Sequence, residues 1–75
     1  MIRYELPDKC HVRIAVFDLL GRRVTMLEDG MLEAGVHEVL WRGITDDGEF
    51  VASGVYLFRL TAGSQSASGK MTLVR

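Results

Sequence analysis

Short runs of alternating apolar and polar residues, separated by turns rich in glycine and aspartate, constrain the fold of this chain more than any other feature. In the run from 10 to 18, Val12, Ile14 and Val16 occupy alternate positions. Successive side chains of a strand point to opposite faces, so these three share one face, and that face is wholly apolar. No stretch shows the 3.6-residue period of an amphipathic helix. The pattern therefore predicts an all-β domain.

The most aromatic run, at 55–60, follows a turn at Ser53-Gly54. Tyr56, Phe58 and Leu60 alternate onto one face of the predicted strand, whereas the opposite face carries Arg59 and is expected to meet water. A further run at 36–42 places Val39 and Trp41 together. We therefore predict a core built from Val12, Ile14, Val16, Val39, Trp41, Tyr56, Phe58 and Leu60. Tyr56 and Phe58 are expected to face Trp41 and the 12–16 stripe across the domain.

Taken in order, the runs predict seven short strands: 2–6, 10–18, 22–28, 36–42, 50–52, 55–60 and 66–74. Seven strands at spacings of roughly 8 to 12 residues are typical of an antiparallel β-sandwich or a small barrel. The sandwich is favoured because segments 29–35 and 43–49 lose the two-residue period and supply the sheet changes of a Greek key. A chain of 75 residues is expected to form one domain over 1–75.

Charge and cysteine content argue against several classes of function. Nine basic and ten acidic side chains give a net charge of -1, so no bulk field favours nucleic acid or an anionic membrane surface. Uninterrupted apolar runs are far shorter than the roughly 20 residues that a membrane-spanning helix requires, and membrane insertion is not expected. Cys10 is the only cysteine, which excludes an internal disulfide and a cysteine metal cluster. No cofactor is predicted.

Candidate catalytic residues lack the spacing that catalysis needs. Cys10 and His11 are adjacent, so in a strand they point to opposite faces and cannot act as a nucleophile and its base. His37 has no partner at metal-ligand spacing. Ser53 lacks the first glycine of a nucleophile elbow. We interpret all four as structural residues and predict that the domain is not an enzyme.

The acidic stretch Asp46-Asp47-Gly48-Glu49 invites a calcium reading, but it lacks the alternating carboxylates that converge on one ion. A solvated turn is the favoured interpretation, because Asp-Gly is a strong turn signal. All aromatic side chains fall on predicted core faces, which leaves no platform for stacking on a sugar or a base.

Five motifs together resemble one protein family. The chain is similar to the immunoglobulin-like domain named after the flagellar hook-capping protein, and to the C-terminal sorting domain of bacterial type IX secretion. The matching segments, in order, are 16–24 (VFDLLGRRV), 35–41 (GVHEVLW), 46–48 (DDG), 52–56 (ASGVY) and 70–75 (KMTLVR). Arg42 departs from the pattern, since Asp or Asn commonly follows the tryptophan. The resemblance implies a seven-stranded immunoglobulin/fibronectin-like sandwich.

The same resemblance implies a non-enzymatic module at the C-terminus of a larger exported bacterial protein, which it sorts or displays through protein–protein recognition. The alternative is a structural spacer or assembly domain of a multidomain surface enzyme or of a flagellar hook cap. The candidate recognition motif consists of Lys70, Met71, Thr72, Leu73, Val74 and Arg75.

Expected partners are the upstream domains of the parent protein and the secretion machinery. The parent is expected in the periplasm, at the cell surface or outside the cell, with its signal peptide upstream of Met1. Self-association is expected through exposed sheet edges, for which the candidates are the first strand, ended by Pro7, and the last strand.

Overall fold

The computed structural model of the chain describes residues 1–74, which form two antiparallel sheets and no helix. The strands are β1 Ile2–Leu6, β2 Cys10–Phe17, β3 Arg23–Leu32, β4 Gly35–Val39, β5 Gly54–Ala62 and β6 Gln65–Leu73. One sheet contains β1 and β4, and the other has the order β3-β2-β5-β6. Within this range no helix exists that could cross a bilayer. The all-β prediction is confirmed, and the Greek-key connection stays a prediction.

The predicted number of seven strands is wrong, because the structure forms six. The missing strand is 50–52, where only an isolated bridge joins Ile44 to Phe50. The backbone of this loop bonds within itself, from Thr45 N–H to the Glu49 carbonyl and from Val51 N–H to the Gly43 carbonyl. These local bonds replace a ladder to either sheet. Phe50 was predicted to face the core, but 75% of its surface is exposed.

The predicted connection at 29–35 is also mostly wrong, since β3 continues to Leu32, which pairs with Cys10. Only residues 33–34 separate β3 from β4 in the other sheet. The ladder between β2 and β3 shifts register twice, between Ile14 and Ala15 and between Val16 and Phe17. Each shift exchanges the faces of β3, and the alternation in its sequence is lost as a result.

Trp41 lies beyond the end of β4, which stops at Val39, although the sequence pattern placed it inside a strand. The indole is nevertheless only 8% exposed. Its Nε1–H donates to the Ile44 carbonyl at 2.9 Å. The ring meets Tyr56 edge to face, with centroids 4.9 Å apart. A buried tryptophan whose N–H is satisfied holds the 40–44 segment against the sandwich.

The core between the sheets has two clusters of buried side chains. The first contains Ile2, Leu6, Val12 and Ile14, and the second contains Val16, Trp41 and Tyr56. Val39, Phe58 and Leu60 are half-buried against the first cluster. Leu27 and Met71 contact both clusters.

The expectation that β5 faces the 12–16 stripe across the sandwich is wrong. Ile14 pairs with Leu60 and Val16 with Phe58, so β2 and β5 are neighbours within one sheet. Phe58 packs on the first cluster, and Tyr56 alone of the two meets Trp41. Alternation shows which side chains of a strand face the core, but it does not show whether another core-facing strand is a neighbour in the same sheet or lies in the opposite sheet.

Candidate functional site

The predicted recognition motif is divided between the core and the surface. Lys70 and Thr72 lie on the outer face of β6 and are exposed. Met71 and Leu73 point inward, where both are half-buried in the core. Val74 follows the end of β6 and is 81% exposed. Arg75 lies outside the described residues. Among residues 70–74, the outward side chains and the strand's backbone are therefore the groups available to a partner.

β6 forms one edge of the four-stranded sheet. It pairs with β5 along its whole length, from Leu73 opposite Gly54 to Gln65 opposite Ala62, without a register shift. In residues 1–74 no strand pairs with its other side. A long strand without a bulge or a proline presents its free backbone groups in a flat row, which is the geometry that accepts an added strand.

Gly69 lies in the middle of this edge strand, and the ring of Phe58 covers it. A Cβ at position 69 would come within 2.6 Å of Phe58 Cε1. The two residues are direct cross-strand partners. An aromatic ring over a glycine compensates for the missing side chain and keeps the pairing regular.

At the opposite edge of this sheet, Asp46 of the 43–50 loop blocks part of β3. Its Oδ1 accepts hydrogen bonds from the Met26 N–H and the Thr25 hydroxyl, both at 2.9 Å. These two bonds, together with the nearby Arg23 guanidinium, hold the pKa of the Asp46 carboxyl below its usual range. The loop is thereby fixed to the edge of the sheet.

A second aspartate shapes the hairpin between β2 and β3. Asp18 Oδ1 accepts the amides of Leu20 and Arg22 at 2.9 and 3.0 Å. The Arg22 amide and guanidinium, with the Leu20 amide, lower the pKa of the Asp18 carboxyl. Gly21 adopts φ +84°, which favours glycine, and closes the turn. The hairpin leaves Leu19 and Leu20 exposed at its tip, by 65% and 78%.

The outer face of the four-stranded sheet carries a shallow hollow of about 410 Å³. Phe17, Leu57 and Lys70 form one row across β2, β5 and β6, and Gly21 of the hairpin borders the hollow at one end. Arg59 is on the same face as Leu57, and its cross-strand partner is Ser68. We refer to this surface as the cationic hollow, because both charged side chains that line it are basic.

Residues 45–51 and the 18–24 hairpin line a groove of opposite character. Its charged side chains are Asp18, Arg22, Arg23, Asp46, Asp47 and Glu49. Carboxylates thus outnumber guanidinium groups two to one in this lining. The exposed ring of Phe50 follows directly after Glu49. We refer to 46–50 as the acidic loop.

The histidines do not form a catalytic arrangement. His11 Nε2 lies 2.6 Å from Asp29 Oδ1, and Arg13 Nε donates to the same oxygen at 3.3 Å. The hydrogen bond with His11, and the charge and bond of Arg13, hold the pKa of Asp29 below its usual range. Cys10 is half-buried and packs with the first core cluster. The imidazole is therefore paired with a carboxylate on one face while the thiol lies in the core.

His37 has a structural role. Its ring stacks on Tyr4 with centroids 5.5 Å apart, and Nε2 donates to the Glu33 carbonyl at 2.7 Å. This contact spans the short turn between β3 and β4. Throughout residues 1–74, no three potential metal ligands come together.

Sequence reasoning missed the cationic hollow and the exposed ring in the acidic loop. Phe17, Leu57 and Lys70 belong to three strands, and their adjacency depends on a register that the alternation does not reveal. The sequence does show Phe50 directly after three acidic residues and a glycine. This context is a signal for exposure, which the apolar character of 50–52 outweighed in the prediction.

Comparison with known proteins gives one finding on family. The family model described as FlgD Ig-like domain matches residues 1–66. The matched range includes β1 to β5 and the first residues of β6, and it ends before the recognition motif. A search of curated proteins found no match.

Proposed function

The chain belongs to the FlgD Ig-like domain family, and from this premise we propose that it is a non-enzymatic structural module through which a larger exported protein is assembled. The family is one of structural modules related to the flagellar hook cap. Its immunoglobulin-like architecture accounts for the two antiparallel sheets. The family match over 66 residues is the observation that carries the proposal.

The surface of the domain supports this role. The available features are a strand edge that has no partner within residues 1–74, an apolar hollow between basic side chains, and an acidic loop with an exposed ring. Such features suit contacts with another protein, because protein–protein interfaces are enriched in aromatic and arginine side chains. The paired charges described above lie on exposed faces.

The experiment is to express the complete parent protein with its native domain, and with residues 1–75 replaced by an unrelated sandwich of similar size. We expect the replacement to leave the other domains folded and to abolish incorporation of the parent into its assembly, as measured by the size distribution of the purified complex. Unchanged assembly would overturn the proposal.

A second candidate is recognition by an export system. The supporting observation is that Lys70 and Thr72 project from an edge strand whose backbone is open on one side. In this proposal residues 70–75 form the recognised motif, and the domain sorts its parent to the cell surface.

Fusion of residues 1–75 to a periplasmic reporter in a host with type IX secretion tests this candidate. We expect the reporter outside the cell, and loss of export for the double variant Lys70→Glu, Thr72→Glu. The control, Arg3→Glu, reverses an exposed charge of the other sheet. A reporter that stays in the periplasm would exclude the sorting role.

A further inference from the structure

The cationic hollow combines an apolar surface with two basic side chains whose charge no salt bridge within residues 1–74 neutralises. Phe17 and Leu57 are half-buried on the outer face of the sheet. In the described part of the chain, neither Arg59 nor Lys70 forms a salt bridge. The two cations lie diagonally across β5 and β6, close enough to contact one ligand together. The complementary ligand is an apolar group flanked by carboxylates.

The acidic loop of the same chain has this chemistry. Phe50 exposes 75% of its surface, and Asp47 and Glu49 are close to it in the sequence. Asp46 is bound to β3, which holds the loop in a fixed position. The loop therefore presents its ring and carboxylates without the ordering cost of a mobile segment.

We propose that the acidic loop of one copy of this domain docks into the cationic hollow of a second copy. The ring of Phe50 lies on Phe17 and Leu57, and Asp47 and Glu49 pair with Lys70 and Arg59. The hollow, at about 410 Å³, accommodates an aromatic side chain. This inference deepens the proposed function, on which it rests, by naming the partner as another copy of the chain.

The positions of the two surfaces determine the form of the assembly. The acidic loop is fixed to β3 at one edge of the four-stranded sheet, whereas the hollow includes Lys70 and Ser68 of β6 at the other edge. We infer that each copy uses its acidic loop on one partner and its cationic hollow on another. The contact is head to tail, and it produces rings or open chains of domains.

The contact is small, and we expect it to be weak for isolated domains. One aromatic anchor and two charge pairs bury less than the roughly 1,200 Å² of a standard stable interface. The association becomes strong only where a parent assembly holds many copies close together. Association of the free domain should accordingly depend on protein concentration and weaken with salt.

The test uses two variants and their mixture. Arg59→Glu with Lys70→Glu disables the hollow, and Phe50→Ser disables the loop. Sedimentation velocity over a range of concentrations should show the wild type growing beyond a dimer and each variant remaining monomeric, with at least ~10-fold weaker association. An equimolar mixture should form a one-to-one complex and nothing larger, because it contains only one intact loop and one intact hollow per pair.

The controls change similar groups elsewhere. Arg3→Glu with Arg42→Glu alters net charge equally, and Met31→Ser removes an exposed apolar side chain at the far end of the sheet. Both should associate like the wild type, and circular dichroism confirms that every variant is folded.

A wild type that stays monomeric at millimolar concentration would overturn the inference, as would dimers of the disabled variants, which would indicate pairing through strand edges. Neither result would contradict the assembly role, which the domain replacement in the parent protein tests separately.

Discussion

At the scale of single residues, the contact between Gly69 and Phe58 fixes the centre of the edge strand. We predict that Gly69→Ala lowers the free energy of unfolding by about 1–3 kcal/mol, because the new methyl group overlaps a ring that is packed against the core. Urea denaturation measures the loss. In a Phe58→Leu background, which lacks the overlapping ring atoms, the same substitution should cost clearly less.

Gly30→Ala is the matched control, because a Cβ at position 30 of β3 has only Glu28 Oε1 within 4 Å, at 3.9 Å. This substitution should change the free energy of unfolding little. Equal losses at both positions would show that the penalty arises from the glycine backbone and not from the ring.

Asp46 gives the domain a pH dependence whose sign follows from its lowered pKa. The carboxylate stabilises the fold fully above the pKa of the unfolded chain, near ~4, and this stabilisation is lost as the pH falls through the lower pKa of the folded state. We predict that Asp46→Asn is less stable than the wild type at pH 7, and that the difference narrows below pH ~4. Thermal denaturation from pH 2 to 7 measures it.

The control for this titration is Asp47→Asn, which changes the neighbouring carboxylate and leaves the bonds to Thr25 and Met26 intact. The difference in stability between Asp47→Asn and the wild type should not change with pH in the way expected for Asp46→Asn. A difference between Asp46→Asn and the wild type that stays constant down to pH 2 would contradict the assignment.

At the scale of elements, Tyr56 joins the start of β5 to the loop before it. Its hydroxyl donates to the Ala52 carbonyl at 2.6 Å, the arrangement of the tyrosine corner in immunoglobulin-like sandwiches. We predict that Tyr56→Phe costs about 1 kcal/mol, because the ring stays on Trp41 and only the hydrogen bond is lost. Urea denaturation should show a smaller effect for Tyr4→Phe, whose hydroxyl makes no hydrogen bond in residues 1–74. Equal effects would argue against the corner.

The sequence predicts elements well where one strand keeps one face to the core. In β2 the alternating residues Val12, Ile14 and Val16 are fully buried, and in β5 Tyr56, Phe58 and Leu60 pack on the core clusters. Prediction fails in β3, because two register shifts exchange its faces. It also fails at 50–52, where bonds within the loop satisfy the backbone without a sheet.

At the scale of the molecule, Leu27 and Met71 connect the two core clusters. We therefore predict cooperative unfolding, although Ile14 belongs to the first cluster and Trp41 to the second. Ile14→Ala should cost about 2–5 kcal/mol, a large part of the roughly 4–11 kcal/mol available to a 75-residue domain. Fluorescence of Trp41 and far-ultraviolet circular dichroism should shift together. Separate transitions would show that the clusters unfold independently.

The hydrophobic pattern of the sequence does not reveal which strands are neighbours within one sheet and which face each other across the sandwich. The same alternation suits Val16 beside Phe58 in one sheet or opposite it in another. The hollow was missed for this reason, since Phe17, Leu57 and Lys70 meet only through the β2-β5-β6 order. The strand spacing and the segments at 29–35 and 43–49 predicted the sandwich, and the family resemblance implied the same architecture, but the pairing of particular strands required the structure.

The attachment of Asp46 to β3 also limits how far the four-stranded sheet can polymerise. A continuous ribbon of sheets needs two edges that accept strands, but the carboxylate occupies the Met26 amide on one of them. If only the β6 edge can accept a strand, edge-to-edge pairing joins two molecules and cannot continue to a third. Protonation of Asp46 weakens this block, so acidic conditions should favour growth through both strand edges, a route that the Asp46 carboxylate hinders at neutral pH.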